Sequence, residues 1–96
     1  MLDQETTEFL IKTANGVAKA EEKYAIAKSE LKIEEAKLFC FADWENLLGK
    51  SKPTQKEKEY AVALMTEEKR AEVIDLKVKR DYCRRIFEIN FLQNSV

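Results

Sequence analysis

Ninety-six residues with 45% hydrophobic and 36% charged side chains, two glycines, one proline and no histidine have the profile of one small helical domain. That profile excludes a disordered chain, and the lack of histidine removes the commonest general base and metal ligand. The net charge of −1 is unevenly divided: residues 1–49 carry six Lys against ten acids, and residues 50–96 carry eleven Lys or Arg against eight acids. Halves of −4 and +3 attract one another when folded antiparallel. A pI near 5.6 argues against a strong electrostatic footprint for nucleic acid.

The acids and hydroxyls of residues 3–8, DQETTE, suit a helix N-terminus, where they satisfy free N–H groups. From there Leu10, Val17, Tyr24, Leu31 and Leu38 recur every seven residues, and Ala20, Ala27, Phe41 and Leu48 fill positions three further on. This is an a/d seam, and its small residues, Ala14 and Ala18 among them, allow a partner helix to come close. Asn15-Gly16 interrupts the pattern chemically, because glycine costs about 1 kcal/mol against alanine inside a helix. The heptad frame passes through it unbroken, which predicts one continuous or slightly kinked helix over about 4–48, the alternative being a break here that leaves a short separate N-terminal helix.

Gly49 is placed to end that helix as a left-handed cap. Pro53 lies just outside the next helix. Thr54-Gln55-Lys56-Glu57 fits a capping box, the Thr54 hydroxyl accepting from the Glu57 N–H and the Glu57 carboxylate from the Thr54 N–H. A turn over 49–54 and a second helix over about 55–92 follow. Tyr60, Leu64, Ala71, Ile74, Val78, Tyr82, Ile86 and Ile89 form one apolar stripe on it, and Val62, Met65, Val73, Leu76, Cys83, Phe87 and Phe91 form another. Thr66, Arg70, Lys77, Asp81, Arg84 and Glu88 form a polar strip between them, with Lys77–Asp81 and Arg84–Glu88 spaced for i,i+4 ion pairs. Two stripes exceed what one neighbouring helix can cover. The first is expected to face helix one, and the second to face a third helix or another subunit. Reversal at the turn pairs residues whose numbers sum to about 102. Leu38 then meets Leu64, Leu31 meets Ala71, Tyr24 meets Val78, and Val17 meets Arg85 as a mismatch.

The chain carries no sign of catalytic chemistry. Cys40 and Cys83 would lie roughly 30 Å apart, too far for a disulfide, and two cysteines alone cannot build a structural zinc site. Both are expected to be reduced packing residues. Glu34 and Glu67 are brought near each other by the register, but the Glu-x-x-His spacing of a di-iron site is missing. No phosphate loop, nucleophile motif or cofactor fingerprint appears. No catalytic, cofactor or metal residue is therefore expected. No apolar run reaches the roughly 18 residues of a membrane span, and no basic-then-apolar leader is visible, so the default location is cytoplasmic.

The basic turn, Lys50, Lys52, Lys56 and Lys58, with Trp44 and Tyr60 beside it, is a candidate contact for phosphates and a stacked base. A hairpin of this length is similar to the WXG-type secreted effectors, but Glu45-Asn46 follow Trp44 where those proteins carry Trp-x-Gly. The second half, with Glu57-Lys58, Val62, Leu64, Lys69, Val73, Leu76-Lys77 and Tyr82, resembles small helical proteins encoded by tailed phages. Within that group it is loosely similar to recombination mediators. The resemblance implies an oligomer that binds single-stranded DNA and helps load a strand-exchange recombinase. The residues themselves point to an all-α antiparallel two-helix hairpin, completed by a third helix or another subunit. On that reading it is a non-enzymatic protein-interaction module and a homo-oligomer that binds nucleic acid weakly or not at all, the alternative being a single-stranded-DNA-binding mediator.

Overall fold

A computed structural model describes residues 3–94. Four helices follow in order, α1 (Gln4–Phe41), α2 (Trp44–Leu48), α3 (Gln55–Met65) and α4 (Glu67–Asn94), and no strand occurs among the described residues. α1 forms one arm and α3 with α4 the other, packed antiparallel into a rod of 68 × 16 × 16 Å. Its radius of gyration is 20.6 Å, against about 13 Å for a compact domain of similar length. The all-α hairpin is therefore the fold, and it has a seam in place of a globular core.

The start of α1 is closed by Asp3, whose carboxylate accepts the Thr6 N–H at 2.7 Å. That hydrogen bond, first through the Thr6 backbone, holds the Asp3 carboxyl below its ordinary range. α1 then runs without interruption through Asn15-Gly16. It ends seven residues before the predicted stop, because Ala42 turns to extended backbone and Asp43 caps a new helix by accepting the Asn46 N–H. The short α2 turns Trp44 inward, where its indole N–H donates to the Phe39 carbonyl at 3.2 Å. Phe41, expected in the seam, is instead 85% exposed as the last residue of α1, where the chain turns to extended backbone at Ala42. Gly49 closes α2 in the left-handed region with φ 68°, the conformation glycine adopts without a Cβ penalty.

The second arm opens on the expected capping box. The Glu57 N–H donates to the Thr54 hydroxyl at 3.2 Å, and the Thr54 N–H donates back to the Glu57 carboxylate at 3.4 Å. Lys50 crosses the turn to pair with Glu57 at 2.9 Å. The arm is interrupted at Thr66, where φ −109° and ψ 16° leave the helical range. The Thr66 hydroxyl donates to the Val62 carbonyl at 2.7 Å, a bond back along the helix of the kind that bends one.

The register holds, since Glu30 meets Lys69, Glu35 meets Arg70, Tyr24 meets Arg80 and Glu21 meets Arg84, sums close to the expected 102. The face that helix two presents does not hold. Val62, Thr66, Lys69, Val73, Leu76, Arg80, Cys83, Phe87 and Asn90, alternating by four and three residues, are the buried or half-buried positions along its inner face, and Ala61, Ala63, Arg70 and Ile86 are half-buried beside them. Leu64, Ala71 and Val78, expected opposite Leu38, Leu31 and Tyr24, are all exposed. Helix two is turned roughly half a revolution from the orientation predicted. Thr66, placed in the polar strip, is only 1% exposed. Arg85, expected against Val17, lies on the outer face.

Acids of α1 reach bases of α4 across the seam: Glu30–Lys69 at 2.6 Å, Glu35–Arg70 at 3.2 Å and Glu21–Arg84 at 2.7 Å. This is the attraction between the −4 and +3 halves made specific. Arg84 is thus paired across the hairpin and not with Glu88, while Asp81 pairs with its neighbour Arg80. Lys69 is held charged above its ordinary range, chiefly by its hydrogen bond to Glu30.

Three substitutions test this account. A Cβ at Gly16 would meet nothing within 4 Å, so Gly16→Ala should stabilise the hairpin by about 0.5–1 kcal/mol, read as a higher denaturation midpoint. Thr54→Ala should cost about 0.5–2 kcal/mol by the same measurement, and an unchanged midpoint would leave the hydroxyl without a structural role. The Glu57 carboxyl sits below its ordinary range because Lys50 donates to it and then because the Thr54 N–H does. A lowered folded value means the cap's ionic contribution is complete above the unfolded value and is lost as pH falls through the folded one. Glu57→Gln should therefore flatten the acid limb of the stability curve.

Candidate functional site

Among the described residues only Leu10, Ala27, Trp44 and Val62 are buried apolar side chains, while fifteen large apolar residues are exposed. Isolated exposed apolar residues are ordinary; a contiguous row is not. Tyr60, Leu64, Ala71, Ile74, Val78, Tyr82, Ile89 and Leu92 lie exposed on the outer side of helix two. Their spacing of three, four or seven residues keeps them on one face. Leu64 is 73% and Ile74 64% exposed. Most of the face is turned away from α1, and Val78 and Tyr82 border an open groove between the arms.

The stripe expected to meet a partner is thus the one the hairpin mostly encloses. Val62 is buried, and Val73, Leu76, Cys83 and Phe87 are half-buried against α1. Phe87 also stacks on Phe91 with ring centroids 5.9 Å apart. Only Met65 and Phe91 of that set are exposed. The physical reason lies in the polar members of the seam. Arg80 lays its guanidinium 4.4 Å from the Tyr24 ring centroid and Lys69 reaches Glu30, so long stems pack against helix one while their charged heads find partners. A seam with Lys, Arg, Thr and Asn at four of nine positions does not register as apolar, and a count of hydrophobic residues prefers the opposite face.

Between the arms, beside Val78 and Tyr82, runs an open groove of about 520 Å³, with Ala20, Lys23, Leu76 and Cys83 in its walls. The small residues of α1 at Gly16 and Ala20 form part of one wall. The groove continues the apolar surface of the outer face toward helix one.

The basic turn is not one surface. Lys50 is committed to Glu57, and Lys58 lies over the Phe39 and Trp44 rings at 5.4 and 5.9 Å from their centroids. Lys52 and Lys56 are exposed. Trp44 is buried and its N–H is already bonded, so its ring is unavailable for stacking on a base, whereas Tyr60 remains exposed.

Cys40 and Cys83 are both free thiols. Cys83 takes the packing role expected of it, while Cys40 is exposed. Glu34 and Glu67 are exposed, and no group of three His, Cys, Asp or Glu among the described residues could hold a metal ion. No described helix is long and apolar enough to cross a membrane. The chain matches no known family model, no curated protein and no solved structure.

The single tryptophan reports directly on the turn. Its emission should be blue-shifted in the folded protein and move to the red on unfolding, and a single-stranded oligonucleotide should leave it unquenched. Quenching by an oligonucleotide would put a base against the ring and restore the turn as a contact site.

Proposed function

We propose that this protein is a non-enzymatic protein-interaction module that acts through the exposed apolar face of helix two and through self-association. The observation that carries this reading is the exposed apolar row from Tyr60 to Leu92, broken only by Glu67 and Arg85, on the side away from α1. Burying a side chain such as Ile74 or Val78 contributes about 1.5–3 kcal/mol, and a lone hairpin forgoes that contribution along the whole face. The hairpin serves as a rigid spine that presents the row. Its own seam mixes apolar positions with the charge-paired Lys69 and Arg80, which leaves a second apolar surface for recognition.

Replacement of Ile74 or Val78 by Asp should abolish association without loss of helicity, since both side chains are largely exposed, 64% and 61%. Sedimentation at micromolar concentration and circular dichroism read the two effects. A wild-type monomer that binds neither a partner helix nor a hydrophobic dye would overturn the reading. Salt-sensitive binding to an oligonucleotide, lost on changing Lys52 and Lys56 to Glu, would replace it with a single-strand-binding role.

A further inference from the structure

We infer that the occupant of the outer face of helix two is the same face of a second copy, laid antiparallel across a two-fold axis at the level of Leu76. This rests on the interaction-module reading above and names its partner. The argument begins with the two charges that interrupt the apolar row. Glu67 and Arg85 fall at row positions between Leu64 and Ala71 and between Tyr82 and Ile89. Both are exposed, and neither has an ion pair among the described contacts. They are opposite in sign and stand nine residues to either side of Leu76.

A two-fold interface requires that if residue i touches j, then j touches i. An antiparallel axis at residue 76 pairs numbers that sum to about 152, so Glu67 of one copy meets Arg85 of the other, twice per dimer. The remaining positions are consistent with the same operation. Ile74 meets Val78 on either side of the axis. Ala71, the smallest member of the row, falls opposite Tyr82, the largest member on that side of the axis. Leu64 falls opposite Ile89, and Tyr60 opposite Leu92 at the ends. The stretch from Tyr60 to Leu92 is about 48 Å long at 1.5 Å per residue, ample for an interface of two helices side by side.

The charges also select the direction. A parallel pairing would stack Glu67 on Glu67 and Arg85 on Arg85, placing like charges together at two levels of the row. A helix of another protein could cover the apolar residues, but the self-complementary placement of Glu67 and Arg85 would then serve no purpose. In the antiparallel dimer each α1 lies on the outside, giving a four-layer arrangement with the two second arms at its centre.

Charge reversal tests this without touching the hairpin seam. Glu67→Arg alone and Arg85→Glu alone each create like-charge contacts at both symmetric sites, and should weaken the dimer at least about tenfold at low salt. The double variant Glu67→Arg/Arg85→Glu should return to the wild-type association constant, and the two single variants mixed should pair with each other. Sedimentation equilibrium measures all four, with circular dichroism checking that each remains helical. Single variants that associate like the wild type, or a double variant no better than either single, would overturn the antiparallel pairing. If Ile74→Asp still dissociated the protein in that case, the interaction-module reading would stand while this one failed. A wild-type protein that stays monomeric at tens of micromolar while binding another apolar helix would overturn the self-pairing in the same way.

Discussion

Everything in this molecule depends on how the seam between the arms accommodates positive charge. Helix one offers Leu10, Val17, Ala20, Tyr24, Ala27, Leu31 and Leu38 at heptad spacing, flanked by Glu21, Glu30 and Glu35. Helix two answers with valine, leucine and phenylalanine, but also with Lys69 and Arg80, and Arg70 and Arg84 at its margin. The pairing succeeds because alanines leave room for long stems and glutamates receive the heads. Ion pairs this exposed contribute little individually, about 0–1 kcal/mol. They accompany the observed rotation, in which Val62, Val73, Leu76, Cys83 and Phe87 turn inward and the long stems of Lys69 and Arg80 pack beside them.

That rotation marks the limit of what could be read from the amino-acid pattern. The turn was legible in detail, since Gly49 and the Thr54–Glu57 box are local chemistry whose geometry needs no tertiary context. The antiparallel register was legible too, because a turn of known length fixes which residues are level with each other. The rotation of helix two was not. Tyr60, Leu64, Ile74 and Val78 outrank Thr66, Lys69 and Arg80 on any hydrophobicity scale, and scoring a stripe by its apolar members hides a regular four-three spacing that passes through polar ones. The set Val62, Met65, Val73, Leu76, Cys83, Phe87 and Phe91 was assigned outward because the turn sets Leu64, Ala71 and Val78 level with Leu38, Leu31 and Tyr24, and being level along the axis does not fix which way a side chain points. The break at Ala42-Asp43 was concealed in a similar way, by a heptad frame that continued to Leu48 although Asp43 is a good N-cap.

The turn illustrates how positive charge can be spent on structure before any ligand is considered. Of its lysines, one neutralises the cap carboxylate and another lies across two aromatic rings. Trp44, the most conspicuous residue of the region, functions as a plug at the closed end of the rod. With the lysines so divided, the apolar row on helix two is the more coherent surface of the protein.

A rod of 68 × 16 Å whose contacts run rung by rung between two arms behaves less like a globule than like a ladder closed at one end. Near the turn, each rung closes a short loop; toward the free ends, as where Glu21 meets Arg84, a rung joins residues more than sixty positions apart. Entropy of loop closure grows with that separation for any rung formed alone, but a rung added next to an existing one costs little. Assembly of the hairpin is therefore favoured to begin beside the Thr54 cap and zip outward, and opening to begin in the rungs farthest from the turn. Backbone amides near Leu10 would exchange with solvent sooner than those near Val62, giving the protein a gradient of local stability along its length.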